Sequence, residues 1–99
     1  MSFEMLVGLN VTDDVAYQAY RDEMKQVLNN YGGGFGYDFR VSDVLKAETE
    51  APINRVFTIR FPDEASKDAF FSDEEYKQIK QRRFEPSVAD TTVIATYNR

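Results

Sequence analysis

Hydrophobic and polar residues alternate in four segments of the chain, which is the pattern of half-buried β-strands. The predicted strands are residues 3–11, 35–47, 53–61 and 89–98. Apolar residues recur instead at three- and four-residue spacings over 12–31 and over 63–84, which predicts two helical regions. The element order is therefore βαββαβ. With two helices on one face of a four-stranded antiparallel sheet, it predicts a ferredoxin-like α+β fold, with residues 1–99 as one domain.

Capping residues mark the ends of the predicted helices. Thr12 or Asp13 can cap the first helix, whose acidic start suits the positive end of a helix dipole. In the second region, Ser72 and Glu75 have the spacing of a capping box, and Pro86 ends the region. The apolar positions expected to be buried are Ala16, Tyr20, Met24, Val27, Leu28 and Tyr31 in the first helix, and Ala65, Ala69, Phe70, Tyr76, Ile79 and Phe84 in the second region.

The segment YGGGFGYDF, residues 31–39, contains four of the five glycines of the chain. A phosphate-binding loop needs a strand before it and a helix after it, so that the helix N-terminus faces the phosphate. Here a helix precedes and a strand follows, and the run has no lysine. Gly32 or Gly33 instead fits the left-handed position that ends a helix, and Gly34 and Gly36 allow a bulge or turn into the next strand. We therefore interpret the run as a helix stop.

Alternation assigns the sheet residues to two faces. The helix face, which must pack on the helices, is assigned Phe3, Met5, Val7, Leu9, Val11, Phe35, Tyr37, Phe39, Val41, Ile53, Phe57, Ile59, Phe61, Thr91, Val93, Ala95 and Tyr97. The open face is assigned Glu4, Leu6, Gly8, Asn10, Gly36, Asp38, Arg40, Ser42, Val44, Asn54, Val56, Thr58, Arg60, Thr92, Ile94, Thr96 and Asn98. The open face has too many apolar residues for a surface exposed to water and too many polar residues for a dry core. It is either the wet side of a monomer or the surface that meets a second copy.

Composition removes several classes of function. The chain has no cysteine and no histidine, which excludes disulfides, thiolate nucleophiles, a Ser-His-Asp triad, and histidine-ligated zinc or haem. Acid–base chemistry would fall to Asp, Glu, Lys or Tyr with a shifted pKa. The acidic runs 13–14 and 73–75 stand at helix starts and form no calcium loop, so we expect no metal site and no cofactor.

Charge and hydropathy limit the partners. The net charge of −5 opposes binding to nucleic acid. The basic segment KQIKQRR, residues 77–83, is interpreted as the cationic end of a helix. No apolar run approaches the roughly 20 residues that span a bilayer, and the N-terminus lacks the basic region of a signal peptide. We therefore expect a cytoplasmic protein with no nucleic-acid or membrane partner.

Two arginines are the first candidates for binding a ligand. Arg40 and Arg60 are assigned to the open face on neighbouring strands, where two guanidinium groups would suit a small carboxylate or phosphate. The alternative, which we favour, is a structural charge network in which they pair with Asp38 and Glu4, because unpaired buried charge is costly.

Neutral polar side chains complete the candidate set. Asn10 and Thr58, together with Thr96, can orient a ligand or an ordered water, although such groups are also common as ordinary polar lining. Tyr17 stands at the edge of the first helix's apolar stripe and can place its hydroxyl at a cavity mouth or an interface. The candidate ligand-binding residues are therefore Arg40, Arg60, Asn10, Asp38, Thr58 and Tyr17.

The order of several motifs resembles a known family. They are AYQAYR (16–21), YGG (31–33), RFP (60–62) followed by a helix, and SDEEYKQIKQRR (72–83). Together they resemble, over nearly the whole chain, the family catalogued as domain of unknown function 1330. The resemblance implies the dimeric α/β-barrel superfamily, whose ferredoxin-like subunits pair sheet to sheet. It implies no particular reaction, since that superfamily includes cofactor-free monooxygenases, isomerases, haem enzymes and stress-related proteins, and this chain lacks the Trp and His on which several of them rely.

Three hypotheses about function follow. The first is a homodimer, paired through its open faces, that binds a small molecule in the cavity between the two sheets, with anions among the candidates. The second is a cofactor-independent enzyme, of the isomerase or monooxygenase kind, acting in the same cavity. The third is a structural or interaction dimer without catalysis. Binding ranks first because no nucleophile or strong base stands out.

Overall fold

The computed structural model of the protein describes residues 2–99, and its elements follow the predicted order. They are β1 Phe3–Val11, α1 Asp14–Asn30, β2 Gly34–Arg40, β3 Arg55–Phe61, α2 Glu64–Ser72, α3 Glu74–Ile79, a π-helical segment Lys80–Phe84 (the π-turn) and β4 Val88–Asn98. The strands form one antiparallel sheet in the order β2-β3-β1-β4. With helices on one face, this is the predicted ferredoxin-like α+β arrangement. None of the helices described has the length and apolar character needed to cross a membrane.

Local capping determines both ends of α1. The Asp13 carboxylate accepts a hydrogen bond from the Ala16 N–H at 3.0 Å. At the other end Gly32 has a φ of +73°, and the N–H groups of Gly32 and Gly33 donate to carbonyls in the last turn of α1, both at 3.0 Å. This is a Schellman motif. The interpretation of the glycine run as a helix stop is therefore confirmed.

The second helical region consists of two helices that meet at one aspartate. Asp73 has an extended backbone, ends α2, and accepts a hydrogen bond from the Tyr76 N–H at 3.0 Å to cap α3. The predicted capping box of Ser72 and Glu75 is wrong, because Ser72 is the last residue of α2 and its neighbour takes the N-cap position. The Tyr31 hydroxyl donates to the same aspartate at 2.7 Å, which ties this junction to the end of α1.

The middle of the chain contains less strand than predicted. β2 ends at Arg40 rather than at residue 47, β3 begins at Arg55, and residues 41–54 form an irregular connection. Ile53 from this connection lies over Gly8 of β1, where an added Cβ atom would come within 3.0 Å of the Ile53 side chain. The connection therefore returns over part of the open face.

A β-bulge in β2 reverses the faces of its outer half. The pairs Phe35–Ile59 and Asp38–Phe57 enclose one more residue on β2 than on β3. Such an extra residue turns every following side chain to the opposite face. Asp38 and Arg40 therefore lie on the helix face, and Tyr37 and Phe39 lie on the open face. The sequence assignment of all four was wrong, because alternation alone does not reveal a bulge.

A second bulge lies in β4 at Ile94. Residues 95–98 therefore present the opposite faces from those predicted: Tyr97 lies on the open face across from Glu4, and Thr96 lies on the helix face. β4 has a further register shift between Asp90, which pairs with Asn10, and Val88, which pairs with Val11. All three irregularities lie in edge strands, where bulges are common. The central strands β1 and β3 keep the predicted alternation.

The core lies between the helix face and the helices. Its buried apolar residues are Phe3, Val7, Leu9, Val11, Tyr17, Tyr20, Met24, Val27, Leu28, Phe57, Ile59, Phe61, Phe70, Tyr76 and Ile79. Tyr17, expected at the edge of the stripe, is only 1% exposed. Ala65 and Ala69, expected to be buried, are exposed, because α2 is short and covers the sheet mainly through Phe70.

Candidate functional site

A cavity of about 370 Å³ lies between the helices and the helix face of the sheet, and we call it the inner cavity. Its walls include side chains from all four strands and from α1, α2, α3 and the π-turn. Much of the wall is aromatic, formed by Tyr17, Tyr20, Phe35, Phe57, Phe70 and Phe84. The inner cavity is therefore an apolar space within the core layer of a single chain.

The inner cavity extends across the sheet from β4 towards β2. At the β4 end its wall includes Val93, which is exposed and marks the mouth, and Phe71 of α2 and Lys80 of the π-turn are further exposed lining residues. At the β2 end its wall includes Phe35 and Arg21. A ligand entering at β4 would meet Arg21 at the far end.

The π-turn forms the wall of the inner cavity opposite the sheet. The ring centre of Phe84, at its end, lies 4.9 Å from that of Tyr20 on α1. Glu23 of α1 forms ion pairs with both Arg82 and Arg83, and the hydrogen bond from Arg82 is the main reason that the pKa of Glu23 is lowered. The basic segment interpreted as a helix end is thus joined to α1 by a carboxylate.

Arg21 is the charged side chain most deeply enclosed in this wall. Its side chain is 11% exposed, its Nε donates to the Tyr17 hydroxyl at 2.8 Å, and its Nη1 lies 3.4 Å from an Asp38 oxygen. The guanidinium carbon lies 3.8 Å from the ring centre of Phe35 and 4.9 Å from that of Phe57. Its Nη2 is buried and has no hydrogen-bond partner within residues 2–99. Arg21 is therefore a largely buried cation whose Nη2 donors have no acceptor in residues 2–99.

Asp38 is engaged mainly by a different arginine. Arg55 donates from Nε and Nη2 to the two carboxylate oxygens of Asp38, each at 2.8 Å. This hydrogen bonding, with the charge of Arg21, lowers the pKa of Asp38. Arg40 and Asp14 act on this pair through their charges and form no ion pair in the described part of the chain. Two close guanidinium groups thus share one carboxylate.

Three tyrosine hydroxyls supply neutral polarity in the wall. The hydroxyl oxygens of Tyr20 and Tyr76 are 2.9 Å apart and buried, so one donates and the other keeps a proton with no acceptor in residues 2–99. The Tyr17 hydroxyl accepts from Arg21 and likewise has an uncommitted proton. Burial raises the pKa of all three hydroxyls. They are consequently hydrogen-bond donors at neutral pH rather than bases.

The candidate residues of the helix side have different positions from those expected. Tyr17 lines the inner cavity. Asp38 adjoins it through Arg21. Arg40 pairs across the sheet with Arg55, is exposed, and does not line the cavity. Because Arg40 lies on the helix face and Arg60 on the open face, the expected convergence of these two arginines is wrong.

The other candidates remain on the open face but do not form one site. Thr58 accepts a hydrogen bond from the Tyr37 N–H at 2.8 Å, and Asn10 donates to Asp90 at 3.1 Å. Arg60 is exposed, and it affects the pKa of Glu4 through its charge alone. These three residues therefore do not converge on one site. Thr58 contacts the β2 bulge, Asn10 links β1 to β4, and Arg60 is exposed near the end of β3.

Glu4 has partners that the sequence did not indicate. It is 4% exposed although it lies on the open face, and it accepts hydrogen bonds from Tyr97 and, at 2.8 Å, from Arg99. The hydrogen bond from Tyr97 is the largest cause of a lowered pKa for Glu4, which burial partly opposes. The predicted charge network therefore exists, but Arg99 and Arg55 take the places given to Arg60 and Arg40.

Sequence reasoning missed Arg21, Arg55 and Tyr76 as site residues. A signal for Arg21 was present, because it follows Tyr17 by four residues and so shares its side of α1. Nothing local indicated Arg55, since its partner Asp38 was assigned to the wrong face. Tyr76 was recognised as a buried residue, and its partner could not be read from the sequence because Tyr20 lies on another helix.

The open face exposes several large apolar side chains. Tyr37 is 60% exposed and Phe39 56%, both placed there by the β2 bulge, and Ile94 and Tyr97 are also exposed. Leu45, in the connection before β3, is 92% exposed. Apolar clusters of this kind on a protein surface mark contact sites.

The architecture defines the class of protein. The chain has a ferredoxin-like fold, as its similarity to solved structures shows. Within that class it belongs to the family Domain of unknown function (DUF1330), whose model matches residues 5–97. The family resemblance inferred from the motifs is therefore confirmed. No match was found among curated proteins.

Three solved structures illustrate the similarity. A protein of unknown function from Rhodopseudomonas palustris has a TM-score of 0.79 and 18% identity, over 99% of this chain and 82% of that one. A putative antibiotic biosynthesis monooxygenase from Nitrosomonas europaea has a TM-score of 0.68 and 13% identity, over 99% and 89%. A dimeric protein of unknown function from Bacteroides fragilis has a TM-score of 0.64 and 7% identity, over 99% and 96%. At these identities the likeness concerns the fold alone.

Proposed function

We propose that this protein is a homodimer that binds a small molecule in the inner cavity of each subunit. The observation that carries the proposal is the cavity itself, about 370 Å³ in the layer that otherwise holds the core. Protein interiors are close-packed and contain few voids larger than a water molecule. Small-molecule sites, in contrast, are mostly apolar concavities of about 300–1,000 Å³ with a few polar groups. The inner cavity matches the second description.

This proposal moves the ligand from the place expected on sequence grounds. The first hypothesis put it between two facing sheets, with Arg40 and Arg60 as its anchors. The inner cavity is already lined by one chain, and of the candidate residues only Tyr17 lines it. The open face is then left to the subunit contact.

The dimer is supported by the character of the open face. Its exposed rings and aliphatic side chains include Tyr37, Phe39 and Ile94, and a second copy would cover them with like surfaces, as two-fold symmetry requires. A solved structure with a related fold, from Bacteroides fragilis, is a dimeric protein, which supports the proposal.

A second candidate function is catalysis without a cofactor in the same cavity. The observation that favours it is the set of uncommitted hydroxyl protons on Tyr17 and on the Tyr20–Tyr76 pair. Such donors can stabilise an oxyanion that develops on a bound carbonyl or phenol. Turnover of a bound ligand that is lost in Tyr17→Phe, with binding retained, would identify an enzyme rather than a binding protein.

The cavity can be tested with methionine methyl groups as reporters. Met5 and Met24 line the inner cavity, so ¹³C-methyl NMR can follow a neutral aromatic probe, 1-naphthamide. We expect both signals to shift on titration. Val93→Trp, at the mouth and 52% exposed in the parent, should abolish the shifts by filling the entrance. Val15→Trp is the matched control, since Val15 is 84% exposed and does not line the cavity.

Two results would contradict the proposal. If neither methionine signal responds in the parent protein up to the solubility of the probe, the cavity does not admit small molecules. If sedimentation gives a monomer at micromolar concentration, the dimer part fails. Native mass spectrometry of the purified protein complements both, because it reports subunit number and any retained ligand together.

A further inference from the structure

We propose that the ligand of the inner cavity is an aromatic carboxylate and that Arg21 binds its carboxylate group. This inference rests on the proposed function, because it concerns the same cavity. It adds the chemical class of the ligand and a binding residue absent from the candidates drawn from the sequence.

The first argument is the balance of hydrogen bonds at Arg21. A guanidinium has five N–H donors, and Arg21 uses Nε on Tyr17 while Nη1 makes a long contact of 3.4 Å to Asp38. Its Nη2 has no partner in residues 2–99 although it is buried. Buried donors almost always have an acceptor. Arg21 lines the inner cavity, and a small rotation of its guanidinium would bring Nη2 to a ligand oxygen, which would supply the acceptor that the described chain does not.

The second argument is the balance of charge. Both oxygens of Asp38 accept short hydrogen bonds from Arg55, so this carboxylate only partly neutralises Arg21. No carboxylate lines the inner cavity in the described residues, whereas Lys67 and Lys80 stand in its wall on the helical side. Lys67 is paired with Asp68 at 2.7 Å and Arg21 is partly neutralised by Asp38, but neither carboxylate lines the cavity. The charged side chains in the described wall are thus all cationic, which favours an anion.

The third argument concerns the shape and number of anionic groups. Arg21 with the Tyr17 hydroxyl presents a few donors at one end of a mostly apolar space. A planar carboxylate matches the fork of one guanidinium, while a phosphate would leave further charge and acceptors unpaired. The rest of the ligand would contact aromatic side chains such as Phe35, Phe57 and Phe84, and rings pack well against rings.

The test compares two probes of nearly equal shape, 1-naphthoate and 1-naphthamide. We expect the parent protein to bind the carboxylate about 10- to 100-fold more tightly than the amide, the range for hydrogen bonds to a charged group. Arg21→Gln should reduce that preference to less than about 3-fold while amide binding stays similar. Arg60→Gln, which removes the same charge from the open face, is the matched control and should keep the preference. Calorimetry gives the affinities, and the Met5 and Met24 methyl signals show that both probes occupy the inner cavity.

The outcomes separate the inference from the proposed function. If the amide and the carboxylate bind the parent equally well in the cavity, the inference is overturned and the binding function stands. If neither probe shifts the methionine signals, the proposed function fails and the inference with it. Should Arg21→Gln not fold, Arg21→Lys keeps the charge but loses the fork. It is expected to lose part of the preference, and an unchanged ratio would remove Arg21 from the site.

Discussion

Replacing Gly36 by alanine tests the β2 bulge, on which the position of Asp38 depends. A Cβ atom at Gly36 would lie 2.6 Å from the Thr58 hydroxyl oxygen, closer than real Cβ contacts. That oxygen cannot move without loss, because it accepts the hydrogen bond from the Tyr37 N–H at 2.8 Å. The alanine must therefore either overpack the bulge or break a partly buried hydrogen bond.

Each route costs about 1–3 kcal/mol of unfolding free energy. For a domain of this size, 1 kcal/mol lowers Tm by about 4–8 °C, so Gly36→Ala should melt roughly 5–20 °C below the parent. Gly34→Ala is a matched control in the same strand, since no atom lies within 4 Å of its added Cβ. Reduced flexibility of the unfolded chain should leave that variant unchanged or more stable by up to about 1 kcal/mol.

Thermal and urea unfolding at one fixed protein concentration measures both variants, because a dimer's Tm depends on concentration. Thr58→Ala in the Gly36→Ala background removes the clashing atom, and we expect the double variant to lose less than the sum of the single losses by about 1 kcal/mol or more. Equal Tm values for Gly36→Ala and Gly34→Ala, or strict additivity in the double variant, would refute the close contact and with it the account of the bulge.

Two further predictions concern buried polar groups. The hydrogen bond from Tyr97, with Arg99, holds the pKa of Glu4 below its usual value of 4.5, so the stability it provides is present above that value and is lost as pH falls through the folded-state pKa. The parent should therefore lose stability relative to Glu4→Gln in acid, as measured by urea unfolding at several pH values, and parallel curves would contradict this. Tyr20→Phe leaves the Tyr76 hydroxyl without its partner and should cost about 1–3 kcal/mol in the same assay. The double change to Phe should recover part of that loss, and an additive loss would show that the pair does not interact.

Local sequence was sufficient for the features that depend on neighbouring residues. The start of α1 follows from the Asp13 side chain reaching an N–H three residues later. Its end follows from Gly32, whose positive φ other residues rarely adopt. The faces of β1 and β3 were also predicted correctly, because these two central strands pair with each other in one uninterrupted register and the extra residues lie in the edge strands.

The order of elements followed from the same information. Alternation and helical spacing together predicted βαββαβ, which allows few ways of covering one face of a sheet. The family could be inferred because its motifs are distributed in that order along the chain. A cavity between the layers could not be inferred from these patterns, because wall residues such as Phe57 and Phe70 have the same spacing as packed core residues.

Tertiary structure alone decided the faces of the edge strands. Whether β2 accommodates an extra residue depends on its pairing with β3, from which it is separated by a connection of fourteen positions, 41–54. One such residue carried Asp38 from the open face to the helix face, where it meets Arg55 and Arg21. The composition of the site thus depends on contacts between segments distant in sequence. Alternation along one strand determines which residues share a face until the register changes, and only the neighbouring strand determines where that change occurs.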